Sequence, residues 1–183
     1  EQYSLPFADD ASVANSMHCL AVCLYLGLAP ADVARRMERL EPVAMRLEVI
    51  QGVRGCTLIN DAYNSDVASL DIALDFMNRR PEVEGKQKTL ILSDLLQTGL
   101  PTDELYRKGA QMVAGRGVQR LVGLGPEISA AHSLFNMEKC FFPSTEALLE
   151  SGLVERLEGE MVLVKGARQF GFEQITAMLS QRV

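Results

Sequence analysis

Six short apolar runs, at 47–50, 56–59, 89–92, 120–122, 140–142 and 161–164, punctuate the chain beyond residue 46, and their spacing restricts the fold more than any other feature. From the second run onward they alternate with segments of helical periodicity at 67–77, 103–114, 127–135, 146–150 and 172–179. Strands alternating with helices of this kind predict parallel βαβ units with right-handed crossovers. The first two runs are joined by Gln51-Gly52-Val53-Arg54-Gly55, which reads as a hairpin turn. The predicted class is α/β: a Rossmann-like, mostly parallel sheet flanked by helices. Upstream the texture differs. Val13, Met17, Leu20, Leu24 and Leu28 recur at helical spacing, and Pro30 then opens a second helix carrying Val33, Met37 and Leu40, which stops before Pro42. The expected division is a helical hairpin over 1–43 and an α/β domain over 44–183.

Open parallel sheets bind ligands outside the carboxyl ends of their strands. Three runs here end in charge at that edge. Residues 56–59 lead into Asn60-Asp61-Ala62-Tyr63-Asn64-Ser65-Asp66, residues 89–92 into Ser93-Asp94, and residues 162–164 into Lys165-Gly166-Ala167-Arg168. Lys and Arg suit a carboxylate or phosphate, and Asp suits an ammonium or ribose hydroxyls, so the set fits an anionic or zwitterionic ligand. Strands also end in polar residues merely because the chain is surfacing, and for any one of the three that reading has even weight. Together they favour a site.

Other chemistry is thinner. Gly123-Leu124-Gly125 follows a strand, but Ile128 stands where a dinucleotide fingerprint needs its third glycine, so a tight strand-to-helix turn is the better reading. No Walker loop occurs, and His18 and His132 support no nucleophile set. Asp32, Arg35, Arg36, Glu38 and Arg39 read as a solvated helix face. Eighteen Lys and Arg against 24 Asp and Glu leave a net charge of −6, which argues against a nucleic-acid surface. The longest apolar stretch, 20–29, is too short for membrane insertion. Four cysteines without a CxxC pair read as small buried hydrophobes in a reducing compartment, which points to the cytoplasm. No metal site is expected in this chain. A loop-like start without methionine suggests a piece of a longer protein.

At this point the motifs resemble those of the Mur ligases, the ATP-dependent amide-forming enzymes of peptidoglycan precursor synthesis. Ser12-Val13-Ala14-Asn15 resembles the Asn-x-x-Asn of the helix closing their ATPase domain. Met45-Arg46-Leu47-Glu48 resembles the Gly-Arg-hydrophobic-Glu that leads into their C-terminal domain. Residues 60–66 resemble Asp-Asp-Ser-Tyr-Asn-Ala-Asn of the branch that adds D-alanyl-D-alanine, whereas other branches carry Ala-His where Tyr63-Asn64 stands. Ser93-Asp94-Leu95-Leu96-Gln97-Thr98-Gly99 resembles Gly-Asp-Met-x-Glu-Leu-Gly, and residues 163–168 resemble Leu-Val-Lys-Gly-Ser-Arg.

The resemblance implies that 1–43 ends the ATPase domain and that 44–183 is the C-terminal domain. It implies ATP and Mg2+ as cofactors, with the magnesium ligands, Walker loop and sugar-nucleotide domain upstream. Asn15 would then contact adenine, Arg46 the ATP phosphates and Asp61 the ribose. Asn64, Ser65, Asp94, Lys165 and Arg168 would lie near the incoming dipeptide or orient the domain, and no catalytic residue is assigned within this chain. The implied partners are D-alanyl-D-alanine, UDP-N-acetylmuramoyl-tripeptide and the missing N-terminal and ATPase domains; this piece alone is expected to be inactive. Departures at Ala11-Ser12, Asp66, Ser93 and Leu96-Gln97 resemble the branch followed by an alanine racemase. Competing readings are a sister ligase adding a single amino acid, a folyl-polyglutamate-type ligase, and a phosphoacceptor receiver module with Asp94 as the acceptor.

Overall fold

A computed structural model describes residues 2–7, 10–41, 45–96 and 99–180. The chain forms two compact units, Glu1–Val43 and Ala44–Val183. Pro42 and Val43, and the Gln97-Thr98 part of the fourth motif, lie outside the described residues.

The first unit packs helix α1 (Asp10–Tyr25) against α2 (Pro30–Met37). α1 ends sooner than its periodicity suggests: Gly27, at φ +79°, turns the chain by a backbone geometry that residues with a β-carbon rarely adopt. Pro30 occupies the first turn of α2, Asp32 complements the positive helix start and Arg35 and Arg36 the negative end. Leu20, Val33 and Met37 form a small core with Tyr3, Leu5 and Cys23 against it. Within this unit Met17, Val22, Leu24 and Leu28 stay exposed. Cys19 is exposed too, unlike the buried hydrophobe expected there.

The second unit is a six-stranded sheet with helices on both faces. Its strands are β1 (Glu48–Gln51), β2 (Thr57–Asp61), β3 (Lys88–Ser93), β4 (Arg120–Leu124), β5 (Glu138–Phe142) and β6 (Met161–Lys165). They stand in the order β1-β2-β6-β3-β4-β5, with β1 antiparallel and every other pairing parallel. The helices are α3 (Val67–Asn78), α4 (Thr102–Gly115), α5 (Pro126–Ala130), α6 (Thr145–Glu150) and α7 (Glu173–Leu179). β2 and β6 are buried at every position, the signature of strands covered on both faces. Ile59, Leu90, Leu92 and Leu163 pack on Leu70, Leu74 and Met77 of α3 and Tyr106 and Val113 of α4. On the other face Leu58, Ile91, Val162 and Val164 pack on Leu148 of α6 and on Phe172, Ile175 and Leu179.

Two local outcomes differ from expectation. β1 starts one residue late because Leu47 adopts φ +48°, which is incompatible with a strand. α5 is one short turn instead of a helix to residue 135; Ala131 breaks it and a 3-10 turn follows at His132–Leu134.

Candidate functional site

The order β2-β6-β3 sets the three charged strand ends side by side at one edge. Asp61 is the register partner of Lys165 across β2 and β6, and Leu92 is its partner across β6 and β3. Lys165 is only 1% exposed, so its ammonium needs internal partners. It has two: Asp61 Oδ2 at 2.8 Å and the Asn64 carbonyl, to which Nζ donates at 2.6 Å. The other Asp61 oxygen, Oδ1, accepts the Leu47 N–H at 3.3 Å. Asp61 therefore ties the segment entering the domain to the end of the central strand.

The residues just before β1 take an unusual path. Met45 and Leu47 both lie in the left-handed region, at φ 62° and 48°, with Arg46 between them. The Met45 N–H donates to Glu48 Oε2 at 3.4 Å, and Asn60 Nδ2 donates to the same oxygen at 3.2 Å. The exposed Arg46 guanidinium sits 4.5 Å above the Tyr63 ring. Tyr63 in turn accepts the Arg168 N–H on its carbonyl at 3.3 Å, and the Arg168 side chain is exposed.

Asn64 and Ser65 continue the same loop. Asn64 is exposed, its carbonyl held by Lys165. Ser65 is 3% exposed, and its carbonyl accepts the Leu96 N–H at 2.6 Å. Among the described residues its hydroxyl has no partner, and neither has Asn60 Oδ1. Buried polar atoms left unpaired are costly and cluster where a ligand or water is to be met. Asp66 then caps α3, accepting the Ser69 N–H at 2.9 Å and its hydroxyl at 2.7 Å. Burial pushes this carboxyl up, but the two Ser69 bonds and the Lys165 charge outweigh it and hold the group below the usual carboxylate range. An open cavity of about 380 Å³ lies at this helix start, lined by Asp66, Val67, Ala68, Leu100, Lys108 and Met112 among others.

Asp94 stands at the same edge in a different role. It is 4% exposed, and its Oδ1 accepts the Ile128 N–H at the start of α5 at 2.8 Å and faces the Tyr106 hydroxyl at 3.4 Å. Gly125 permits this approach, since a β-carbon there would sit 2.4 Å from the Asp94 carboxylate. Burial, with the Asp94 charge adding to it, raises the Tyr106 hydroxyl far above its ordinary pKa and keeps it protonated as a donor. Ser93 accepts the Ala167 N–H at 3.0 Å and so joins β3 to the turn after β6. The receiver reading fails on this geometry: a phosphoacceptor must be open to its donor, and Asp94 is enclosed. Glu48, Tyr106 and the ring of Tyr63 were not assigned roles from the sequence. Glu48, two residues past Arg46, and Tyr106, the only aromatic on the buried face of α4, were the available signals.

Asn15 lies in the first unit, exposed on α1. Among the described residues no three His, Cys, Asp or Glu side chains converge to hold a metal ion. For a nucleotide, the exposed Arg46 guanidinium fits a phosphate. Asp61 fits a ribose less well, because its side chain is 10% exposed and both oxygens already have partners.

Residues 45–168 match the family model described as Mur ligase, glutamate ligase domain. The chain belongs to the Mur ligase family. Its sheet is that of the C-terminal domain of solved Mur ligases: the UDP-N-acetylmuramoylalanyl-D-glutamyl-2,6-diaminopimelate–D-alanyl-D-alanyl ligase of Acinetobacter baumannii superposes with a TM-score of 0.71 at 25% identity. That match covers 96% of this chain and 37% of the other. Among curated Mur ligases, the UDP-N-acetylmuramoyl-tripeptide–D-alanyl-D-alanine ligase of Bacillus subtilis is 28% identical over 94% of this chain, and that of Escherichia coli 21% over 97%. This chain spans 38% of the length of each. No described helix is long and apolar enough to cross a membrane.

Proposed function

We propose that this chain is the C-terminal part of a cytoplasmic ligase that joins D-alanyl-D-alanine to UDP-N-acetylmuramoyl-tripeptide during peptidoglycan precursor synthesis. The observation that carries the reading is the edge built by β2, β6 and β3. There an exposed arginine, a buried lysine–aspartate pair and an unpartnered buried hydroxyl adjoin, in a family whose similar members bear that activity in their names. ATP, with Mg2+ held by residues outside this chain, would supply the phosphoryl group that activates the tripeptide carboxylate. Arg46 would bind the nucleotide phosphates, Asn15 the adenine, and the remaining lone pairs of Asp61 the ribose.

The incoming dipeptide is a small zwitterion with two methyl groups. The cavity at the start of α3 has matching chemistry, with Lys108 for its carboxylate and Val67, Ala68, Leu100 and Met112 for its methyls. Lys165 holds the Asn64 carbonyl, and through it the loop that carries Ser65 towards the amine. Asp94 acts by fixing the start of α5 and the loop after β3, and the exposed Arg168 offers a second cation to the carboxylate. Catalysis would consist of phosphate neutralisation and positioning of the amine. In this reading 1–43 is the edge of an ATPase domain, consistent with the apolar side chains that α1 leaves exposed. The parent chain would continue into an alanine racemase.

The test is phosphate release by the full reading frame that encodes this chain, supplied with ATP, Mg2+ and UDP-N-acetylmuramoyl-tripeptide. Release that depends on D-alanyl-D-alanine is expected. Release with a single amino acid instead would favour a sister ligase, and no release from the folded protein would overturn the reading. Racemisation of L-alanine by the same preparation checks the fusion.

A further inference from the structure

Arg46 is held differently from the ion-paired arginines. Arg35, Arg79, Arg80, Arg116 and Arg120 each pair with a carboxylate. Among the described residues Arg46 forms no ion pair, and its guanidinium lies on the face of Tyr63 instead. The distinction matters chemically. A carboxylate would neutralise the cation and occupy its N–H fork, whereas an aromatic face attracts the charge without cancelling it. A guanidinium held this way keeps its N–H edge and its charge for an incoming anion.

The main chain beneath it is equally particular. Met45 and Leu47 both carry β-carbons and both adopt positive φ, on either side of Arg46. Such geometry persists only where the surroundings over-determine it. Here each of the two peptide N–H groups is caught by a carboxylate, Met45 by Glu48 and Leu47 by Asp61. Asp61 is itself fixed by Lys165, so the clasp is anchored to the central strand.

We propose that Tyr63 is a positioning residue: with Glu48 and Asp61 gripping the backbone on either side, its ring holds the Arg46 guanidinium ready for the phosphates of a nucleoside triphosphate. This rests on the reading of Arg46 as the phosphate contact and adds what keeps it in place. A preformed cation loses less freedom on binding than a mobile one, so the gain appears in affinity.

Two measurements test it. In the 183-residue chain, the Arg46 Nε–H resonance is expected to be shifted upfield by the Tyr63 ring. Tyr63→Phe should keep that shift and Tyr63→Leu should abolish it, with the Nε–H becoming mobile in its heteronuclear relaxation. In the full-length enzyme, Tyr63→Leu should raise KM for ATP about three- to five-fold, the range of an exposed cation–π contact, while kcat moves by less than about two-fold. Tyr63→Phe should restore KM, because it keeps the ring. Tyr63 is 40% exposed, so neither variant opens the core. An unshifted Nε–H resonance, a Tyr63→Leu enzyme with the KM of the original, or a loss confined to kcat overturns the proposal. Arg46→Ala separates the two levels. If it weakens ATP binding while Tyr63→Leu does not, only the positioning role falls; if it leaves ATP binding unchanged, the phosphate role falls with it.

Discussion

Strand β6 has a buried charge at each end, and the two ends are built to different plans. At the amino end, Glu160 is 6% exposed and accepts the Thr89 hydroxyl on one oxygen and Arg120 at 2.5 Å on the other, while Arg120 also bonds Glu138 at 2.8 Å. At the carboxyl end, Lys165 is equally enclosed and equally paired, but its surroundings are not closed. Among the described residues the Ser65 hydroxyl and Asn60 Oδ1 lack partners, and Arg46 and Arg168 are exposed. A buried ion pair is weak evidence of function by itself, because structural networks produce the same geometry. What separates the two ends is the polar capacity left over once every internal bond is made.

Substitutions at the two ends test that contrast most severely. Lys165→Met should lower kcat/KM of the full-length enzyme on the order of 100-fold, about 2.7 kcal/mol in transition-state stabilisation, measured by phosphate release. Glu160→Gln should destabilise the fold by about 3 kcal/mol in urea unfolding, since it leaves Arg120 with half its compensation, yet keep the activity of the folded enzyme. Equal losses of activity from both would erase the distinction. Asp94→Ala should cost about 2 kcal/mol of stability, because Ile128 N–H and the Tyr106 hydroxyl lose a buried acceptor. The smallest effect belongs to the α3 cap: Asp66→Ala should cost about 1 kcal/mol at neutral pH. The folded Asp66 pKa is depressed, so this difference should be complete above the ordinary carboxylate pKa of about 4 and vanish as pH falls through the lower folded value. Paired thermal melts of the variant and the original between pH 2 and pH 7 measure it.

The alternation of apolar runs with helical segments was enough to expect the α/β sheet, because strands covered on both faces carry continuous apolar runs, as Leu58-Ile59 and 161–164 do in strands buried at every position. The convergence of Asp61 and Lys165 followed from the rule that such strands present their carboxyl ends to one crevice. Their direct pairing did not follow. It depends on β6 entering between β2 and β3, and no local propensity encodes a strand order. Asp94 shows the limit from the other side. Its charge marked the strand end, but its engagement with α5 needs the close approach at Gly125, from a segment thirty residues away. The hairpin between β1 and β2 was legible from its glycines, whereas the positive φ of Leu47 was not, since leucine carries no signal for it. Cys19 misled because the periodicity of α1 does not say how much of its apolar surface a single small helix can cover.

The strand that completes the sheet is also the last to be made. β2 and β3 lie next to the same strand, β6, whose residues follow their register partners by 104 positions for β2 and 73 for β3. As the chain leaves the ribosome, two facing strand edges must therefore wait open until residue 165 has emerged. Such long-range pairing is slow to form and exposes edges that can recruit another chain. Asp61, Asn64 and Arg46 can be in place early only as a loose loop, and the buried lysine that organises them arrives at the end. A chain truncated before Met161 would lack more than a strand: it would present an unpaired seam through the middle of the sheet, where a cell's quality control finds its targets.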